Sequence, residues 1–371
     1  MSERKKIVFA INNLGMGGAE NMLVEQVRFM NKKLFDLCIV TILPNQSTNI
    51  FHKIPQEVKF IQFHFSSLFD LKELYKLWAF LRKEKIYAVV TSLFDANLLV
   101  RVAAILAKVP VILSSEVNVY EHKKRWQIIA DKILARFTKK ILVSSNDVLE
   151  FTSRQESIPK SRFTLNFNAI RLKLGEIKQE RNKVLSKYVL PQEQIYIATA
   201  GSLTPQKGQI YLIDAVYQMK NEGVSGFKVL IFGKGMLKEE LVSQVEKLGL
   251  TEEVRFMDIA PIEDIMAISD IFTLPSLWEG LSIALLEAMD AHCPIVATRV
   301  SGTNEALEDE KSALLVTPGV SSELAVAFKR MLDDGDLRKR LALNAKKRVE
   351  KFSIEKNVRV IENLILQSYA R

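Results

Sequence analysis

Near-continuous apolar runs of four to nine residues recur along this chain, and the stretches between them repeat their apolar residues at helical spacing. No other feature of the sequence restricts the fold as much. Residues 5–11 (KKIVFAI) read as a strand, and residues 19–30 as a helix with Met22, Leu23, Val27 and Met30 on one side. Strand-like runs follow at 35–43, 58–63, 87–93, 110–116 and 140–145, with helices between them, one covering 71–84. The plan repeats from residue 195. Strands are expected at 195–201, 227–233, 254–257, 271–276 and 294–300, the last closing the second core. Helices are expected at 208–219, 237–248, 262–268 and 282–291, followed by three more around 321–333, 336–351 and 354–369. Strands apolar on both faces belong to parallel sheets covered by helices on both sides. The pattern therefore predicts an α/β chain of two doubly wound domains, each binding its ligand at the carboxyl ends of its strands.

A length of 371 residues agrees with two domains, and the polar stretch 171–187 reads as the linker. The boundaries drawn on this basis are 1–185 and 186–353. Hydrophobic residues make up 48% and charged residues 26%, which excludes a disordered tail or a collagen-like fibre. Cys38 and Cys293 supply neither a disulfide framework nor a Cys/His metal set, so a reducing compartment is expected. The opening MSERKKIVFA turns polar too quickly for a signal peptide, and the apolar stretch 98–113 is broken by Arg101, Lys108 and Pro110. The expectation is a cytoplasmic protein, soluble or resting on the inner face of the cell membrane. Residues 1–190 hold 31 Lys and Arg against 17 Asp and Glu, whereas residues 191–371 hold 21 against 26. A first half at +14 beside a second at −5 points to an anionic partner for the first: a phosphorylated substrate, a lipid surface or nucleic acid.

The run PSLWEGLSIALLEA (275–288) passes from a strand through a glycine loop into a helix beginning near Ser282. Backbone N–H groups at such a helix start form an anion site. Glu287 lies among Leu285, Leu286, Ala288 and Met289, where a carboxylate is costly without donors. The hydroxyls of a ribose would satisfy it; so would a solvated stripe or a lysine. Glu279 stands eight residues earlier, in the loop facing the anion site. AGSLTPQKG (200–208) is a second strand–loop–helix junction, with Gly201 at the turn and Lys207 at the helix start. A cation there opposes the helix dipole, which suits either a diphosphate partner or plain solvation. Gly233 and Gly235 follow the next strand and would let a base or phosphate approach the backbone. The full G-x-G-x-x-G fingerprint is absent, which argues against a dinucleotide dehydrogenase.

In the first half, residues 12–20 (NNLGMGGAE) form a glycine-rich loop without the P-loop pattern, so nucleotide triphosphate hydrolysis is not expected. The loop reads either as a close approach to a ligand or as a tight strand–helix turn. Residues 122–140 carry seven Lys and Arg around Trp126, Ile129, Ile133 and Phe137, and residues 71–85 place Trp78 and Phe80 beside Arg82, Lys83 and Lys85. Such helices suit an anionic membrane surface, or equally an ordinary surface packed on its sheet. Asp334-Gly335-Asp336 reads as a helix-joining turn rather than a metal site. None of the four histidines has metal-ligand spacing to another. No nucleic-acid recognition motif is present.

Glu279 and Glu287 form an E-x7-E pattern, and the landmarks GGAE (17–20), NFNAI (166–170), GSLTPQKG (201–208), GKGMLKEEL (233–241) and SLWEGLSIALLEAM (276–289) keep a fixed order. In these residues the chain resembles the retaining glycosyltransferases of family 4, over essentially its whole length. The resemblance implies a GT-B fold, with two Rossmann-like domains facing a central cleft and the helix at about 354–371 packing back on the first domain. It implies a hexosyltransferase-type enzyme without metal or cofactor. The sugar would pass from a nucleotide sugar, UDP by family frequency, to a glycan or polyprenyl-phosphate-linked acceptor. The setting would be synthesis of bacterial surface polysaccharide, lipopolysaccharide or glycoprotein glycan. By the same resemblance Lys207 would bind the donor diphosphate, Glu287 the ribose, and Glu279 with Gly280, Leu281, Ser282 and Ile283 the sugar and phosphates. Gly201, Ser202, Gly233 and Gly235 would complete the donor side, with Gly17, Gly18 and Glu116 on the cleft and acceptor side. Ser202 stands where the family usually has arginine, and Val117 follows Glu116 where many members carry histidine. Those two departures keep open an epimerase or hydrolase of nucleotide sugars, or a binding subunit of the same fold.

Overall fold

The computed structural model describes residues 4–15, 17–44, 49–117, 120, 123–173 and 181–367. Seven strands form the first sheet: β1 (Lys5–Ile11), β2 (Phe35–Thr41), β3 (Lys59–Gln62), β4 (Ala88–Ser92), β5 (Val111–Glu116), β6 (Lys140–Val143) and β7 (Phe163–Leu165). Six form the second: β8 (Ile195–Ala200), β9 (Phe227–Phe232), β10 (Val254–Met257), β11 (Ile271–Leu274), β12 (Ile295–Thr298) and β13 (Leu314–Val316). Every strand pairing within them is parallel, with Phe9 opposite Ile39 and Val90, and Ile197 opposite Val229 and Ile271. Those residues are buried because helices cover both faces, and β-branched side chains pack well on a pleat so enclosed.

Contacts divide the chain into two units, residues 1–171 with 353–371, and residues 172–352. The division falls upstream of the expected 185/186. The reason is the helix Arg181–Lys187, which buries Val184 and Leu185 in the second unit and pairs Arg181 with Asp270 at 2.7 Å. The helix Ile354–Leu366 belongs to the first unit, where it packs on the helix Gly18–Phe29. Its Asn357 donates to the Phe167 carbonyl at 2.7 Å and accepts from Gln26 at 2.9 Å, and Lys139 donates to the Leu364 carbonyl at 2.5 Å. Two edge strands escape the sequence pattern, β7 and β13, at three residues each. The second sheet thus closes on β13, beyond the expected strand at 294–300.

Inside the first unit, Arg101 and Lys123 face three buried carboxylates. Arg101 pairs with Asp131, while Lys123 reaches Asp131 at 3.0 Å, Glu156 at 2.5 Å and Glu116 at 3.7 Å. Asn97 also donates to Glu116 at 3.1 Å. Glu116, expected on the acceptor side, thus has its carboxylate in this interior cluster. Two cations cannot balance three carboxylates, and burial pushes the Glu156 carboxyl up from 4.5 to about 7. A folded pKa above the unfolded one favours folding most below pH 4.5, and the advantage is lost as pH rises toward 7. Glu156→Gln mimics the protonated form. Its melting temperature is expected to match the parent near pH 5 and to exceed it near pH 8, a comparison that scanning calorimetry makes directly.

Strand order locates the ligand edge of each unit. The first sheet runs β3-β2-β1-β4-β5-β6-β7 and the second β10-β9-β8-β11-β12-β13. Each order reverses direction once, between β1 and β4 and between β8 and β11. Right-handed crossovers then leave the sheet toward opposite faces, and the loops at that point part to form a crevice at the carboxyl edge. In the second unit the two loops are 201–208, after β8, and 275–282, after β11.

Candidate functional site

Lys207 and Glu279, 72 residues apart in sequence, meet at the switch point of the second sheet as a hydrogen-bonded ion pair. Glu279 is only 9% exposed and the Lys207 side chain 18%. Ser276 donates to the same Glu279 oxygen at 3.2 Å, and Gln206 approaches the other at 3.4 Å. Thr298, from β12, holds the Ser276 carbonyl at 2.5 Å. The ammonium and the two polar neighbours hold this carboxylate in one orientation.

Backbone contacts weld the loops together. Leu277 N–H donates to the Gln206 carbonyl at 2.8 Å, and the Gln206 side chain donates to the Trp278 carbonyl at 3.0 Å. At Gly208, with φ +63°, a Cβ would lie 2.1 Å from the Pro275 carbonyl oxygen, so no other residue fits between these loops. The loop after β9 closes the other side. Leu203 N–H donates to the Lys234 carbonyl at 3.0 Å, and Gly201 N–H to the Phe232 carbonyl at 3.0 Å. Gly233 and Gly235 pack on the carbonyls of Gly201 and Leu203, with a Cβ at Gly235 falling 2.3 Å from the Leu203 oxygen. These two glycines serve the approach of one backbone to another, a packing role distinct from the ligand approach expected of them. Gly201 leaves room for the Lys207 stem, whose Cε lies 3.4 Å from where a Cβ would be.

The helix Ile283–Asp290 begins at Ser282, whose side chain makes no capping hydrogen bond. The N–H groups of its first turn, as at any helix start, have no acceptor within the helix and form the positive end of its dipole. Gly302, which the sequence pattern does not single out, sits against the loop of Glu279 and Gly280: a Cβ there would lie 2.3 Å from the Gly280 carbonyl oxygen and 2.4 Å from the Leu281 nitrogen. Glu287 is in the second turn, on the half-buried stripe of Ile283, Ala284 and Ala291. Leu285, Leu286, Ala288 and Met289 point into the core, so the carboxylate lies on the helix's more open side. Ser202 is exposed, with its hydroxyl 3.4 Å from that of Thr204. Gln206, Ser276 and Thr298 also escape sequence reasoning; the one available signal is the polar residue adjoining Lys207.

The remaining expected residues lie elsewhere. Gly17 and Gly18, in the first unit, open the helix Gly18–Phe29, with Gly17 as its cap. Asp334 caps the helix Gly335–Val349 by accepting from Leu337 N–H at 2.8 Å, the structural turn expected of it. Among the described residues no three His, Cys, Asp or Glu side chains converge as metal ligands.

Residues 180–348, which contain the whole of this arrangement, match the family model described as Glycosyl transferases group 1. The chain is 27% identical over 364 residues to a GalNAc-alpha-(1->4)-GalNAc-alpha-(1->3)-diNAcBac-PP-undecaprenol alpha-1,4-N-acetyl-D-galactosaminyltransferase of Campylobacter jejuni, covering 94% of this chain and 95% of that one. It is 26% identical over 313 residues to the UDP-Gal:alpha-D-GlcNAc-diphosphoundecaprenol alpha-1,3-galactosyltransferase of Escherichia coli, covering 80% of this chain and 79% of the other. HepE of Anabaena, solved in complex with UDP, superposes with a TM-score of 0.83 at 21% identity, over 98% of this chain and 100% of that one. The fold is GT-B, two α/β Rossmann-like domains. The sequence matches support a glycosyltransferase.

Proposed function

We propose that the protein is a retaining glycosyltransferase that moves a sugar from a UDP-sugar to a lipid-linked or polysaccharide acceptor, without a metal, at the cytoplasmic side of a bacterial membrane. The observation that carries this reading is the Lys207–Glu279 pair at the switch point of the second sheet, beside the start of the helix Ile283–Asp290. Departure of the sugar leaves negative charge on a nucleoside diphosphate. Lys207 and the first-turn N–H groups are fixed beforehand where that charge would develop, so no reorganisation is spent on stabilising it. Glu279 orients Lys207 and offers its carboxylate to sugar hydroxyls. Glu287, on the open side of the same helix, would accept from the ribose hydroxyls. The relatives' names support the acceptor class and the stereochemistry: both carry a diphosphoundecaprenol acceptor and an alpha linkage. An alpha linkage is what retention makes from an alpha-configured donor. The UDP-Gal in one relative's name and the UDP bound to HepE support uridine as the base.

The test is a thermal-shift panel of UDP-, GDP- and ADP-sugars, since a ligand that binds only the folded state raises its melting temperature. UDP-sugars are expected to give the largest rise. Glu287→Gln is expected to weaken UDP-sugar binding by about tenfold, the loss of one charge-assisted hydrogen bond worth roughly 1.5 kcal/mol. An unshifted melting temperature with all three donors would contradict the reading. Product analysis with and without acceptor separates transfer from hydrolysis or epimerisation.

A further inference from the structure

On one face of the first sheet, helices Leu71–Lys83, Phe94–Leu106, Arg125–Leu134 and Asn146–Glu156 lie side by side. All four follow crossovers in the same direction, from β3 to β4 and onward to β7, and right-handed connections put them on a common face. The helix Arg125–Leu134 turns Asp131 and Leu134 inward. Outward it shows Trp126, Ile129 and Ile133, continued by Phe137 in the next turn, with exposures of 44%, 58%, 51% and 57%. Spacings of three, four and four residues set these side chains one above another in a single stripe. A helix that only packs on its sheet presents polar residues outward; this one presents its largest apolar residues. The helix Leu71–Lys83, beyond Phe94–Leu106 in the same layer, adds exposed Leu71 and Tyr75, preceded by Phe69. The two aromatic groups are braced: Trp126 meets Phe94 edge-on at 5.7 Å, and Arg82 lies over the Trp78 ring at 5.4 Å.

Cations border the stripe. Among the described residues Arg125, Lys132 and Arg136 form no ion pair, nor do Lys72 and Lys83 farther along the layer. Exposed apolar side chains ringed by unpaired positive charge match one kind of surface: a hydrocarbon layer beneath anionic headgroups. Nucleic acid would answer the charges but offers nothing to Ile129 and Ile133.

We propose that the outer face of this helical layer docks on an anionic lipid bilayer, with Trp126, Ile129, Ile133 and Phe137 inserted at the headgroup–acyl boundary. Arg125, Lys132 and Arg136 then lie among lipid phosphates. The inference deepens the membrane placement proposed above by naming the surface, and its test is separate from that of sugar transfer, since vesicle binding needs no donor or turnover.

The full-length protein is sedimented with vesicles of phosphatidylcholine alone and of phosphatidylcholine with about one-third phosphatidylglycerol, in low and high salt. It is expected to pellet with the anionic vesicles only, and less so in high salt. Reversing Arg125, Lys132 and Arg136 to glutamate removes at least three attractive charges and is expected to weaken binding more than about 100-fold. Ile129→Ser with Ile133→Ser and Phe137→Ser leaves every charge in place and is expected to weaken it by a factor on the order of 100. Equal binding to both vesicles, or none to either, would overturn the proposal. So would a dimer in sedimentation velocity that the serine variant disperses, because the stripe would then be covered by a second copy.

Discussion

Lys207→Ala is expected to lower the turnover number by about a thousandfold while changing the Michaelis constant for the donor far less. The split follows from when the charge appears. In the bound donor the diphosphate is already anionic, but its bridging oxygen gains charge only as the sugar leaves, and an interaction that strengthens at that moment acts on turnover. The variant also leaves Glu279, 9% exposed, without its counter-ion. Ser276 still donates to that carboxylate at 3.2 Å, so the stability cost is limited to roughly 1–3 kcal/mol. Lys207→Arg separates the two effects. It restores the charge and recovers most of the stability, but its planar guanidinium presents its donors in a fixed fork and does not reproduce the compact ammonium that meets Glu279. Steady-state kinetics together with denaturant melts check both halves. Parental turnover in Lys207→Ala would remove Lys207 from the reaction.

Gly233→Ala is expected to be the most damaging single-methyl change in the second unit. The added Cβ would stand 1.8 Å from the Gly201 carbonyl oxygen, and φ +151° is a conformation that side chains rarely adopt. The backbone of the loop after β8 must move, and Lys207 moves with it. A loss of roughly 3 kcal/mol or more and abolished donor binding are expected. Gly249→Ala is the control: φ +64° with nothing within 4 Å of the new Cβ, so only the conformational penalty of about 1 kcal/mol remains. Urea melts of the two variants should differ accordingly, and equal losses would show that the contact with Gly201 is immaterial.

The strands and the longer helices are legible in the sequence because burial on both faces demands apolar runs, and a parallel sheet leaves few other ways to write them. β7 and β13 are not legible, since three residues (FTL and LLV) carry no periodicity. The helix Arg181–Lys187 looks like linker because its surroundings are polar; the burial of Val184 and Leu185 and the contacts with Asp264 and Asp270 assign it to the second unit. At the site, Lys207 and Glu279 stand out as charges beside glycines at strand ends, and their pairing follows from the strand order. Gly302 and Ser276 do not stand out. What makes them necessary is the backbone of a loop 22 residues away for Gly302, and the carboxylate three residues away for Ser276; neither dependence leaves a pattern in the chain. Glu116 illustrates the opposite case: a carboxylate at a strand end looks available to a ligand, yet Lys123 and Asn97 draw it inward.

The most direct measurement is a crystal structure of the protein with a bound UDP-sugar. The diphosphate is expected within hydrogen-bond distance of the Lys207 ammonium and the backbone N–H groups at the start of the helix Ile283–Asp290, with a sugar hydroxyl on Glu279. A diphosphate bound away from the loops after β8 and β11, with the Lys207–Glu279 pair undisturbed, would contradict the account.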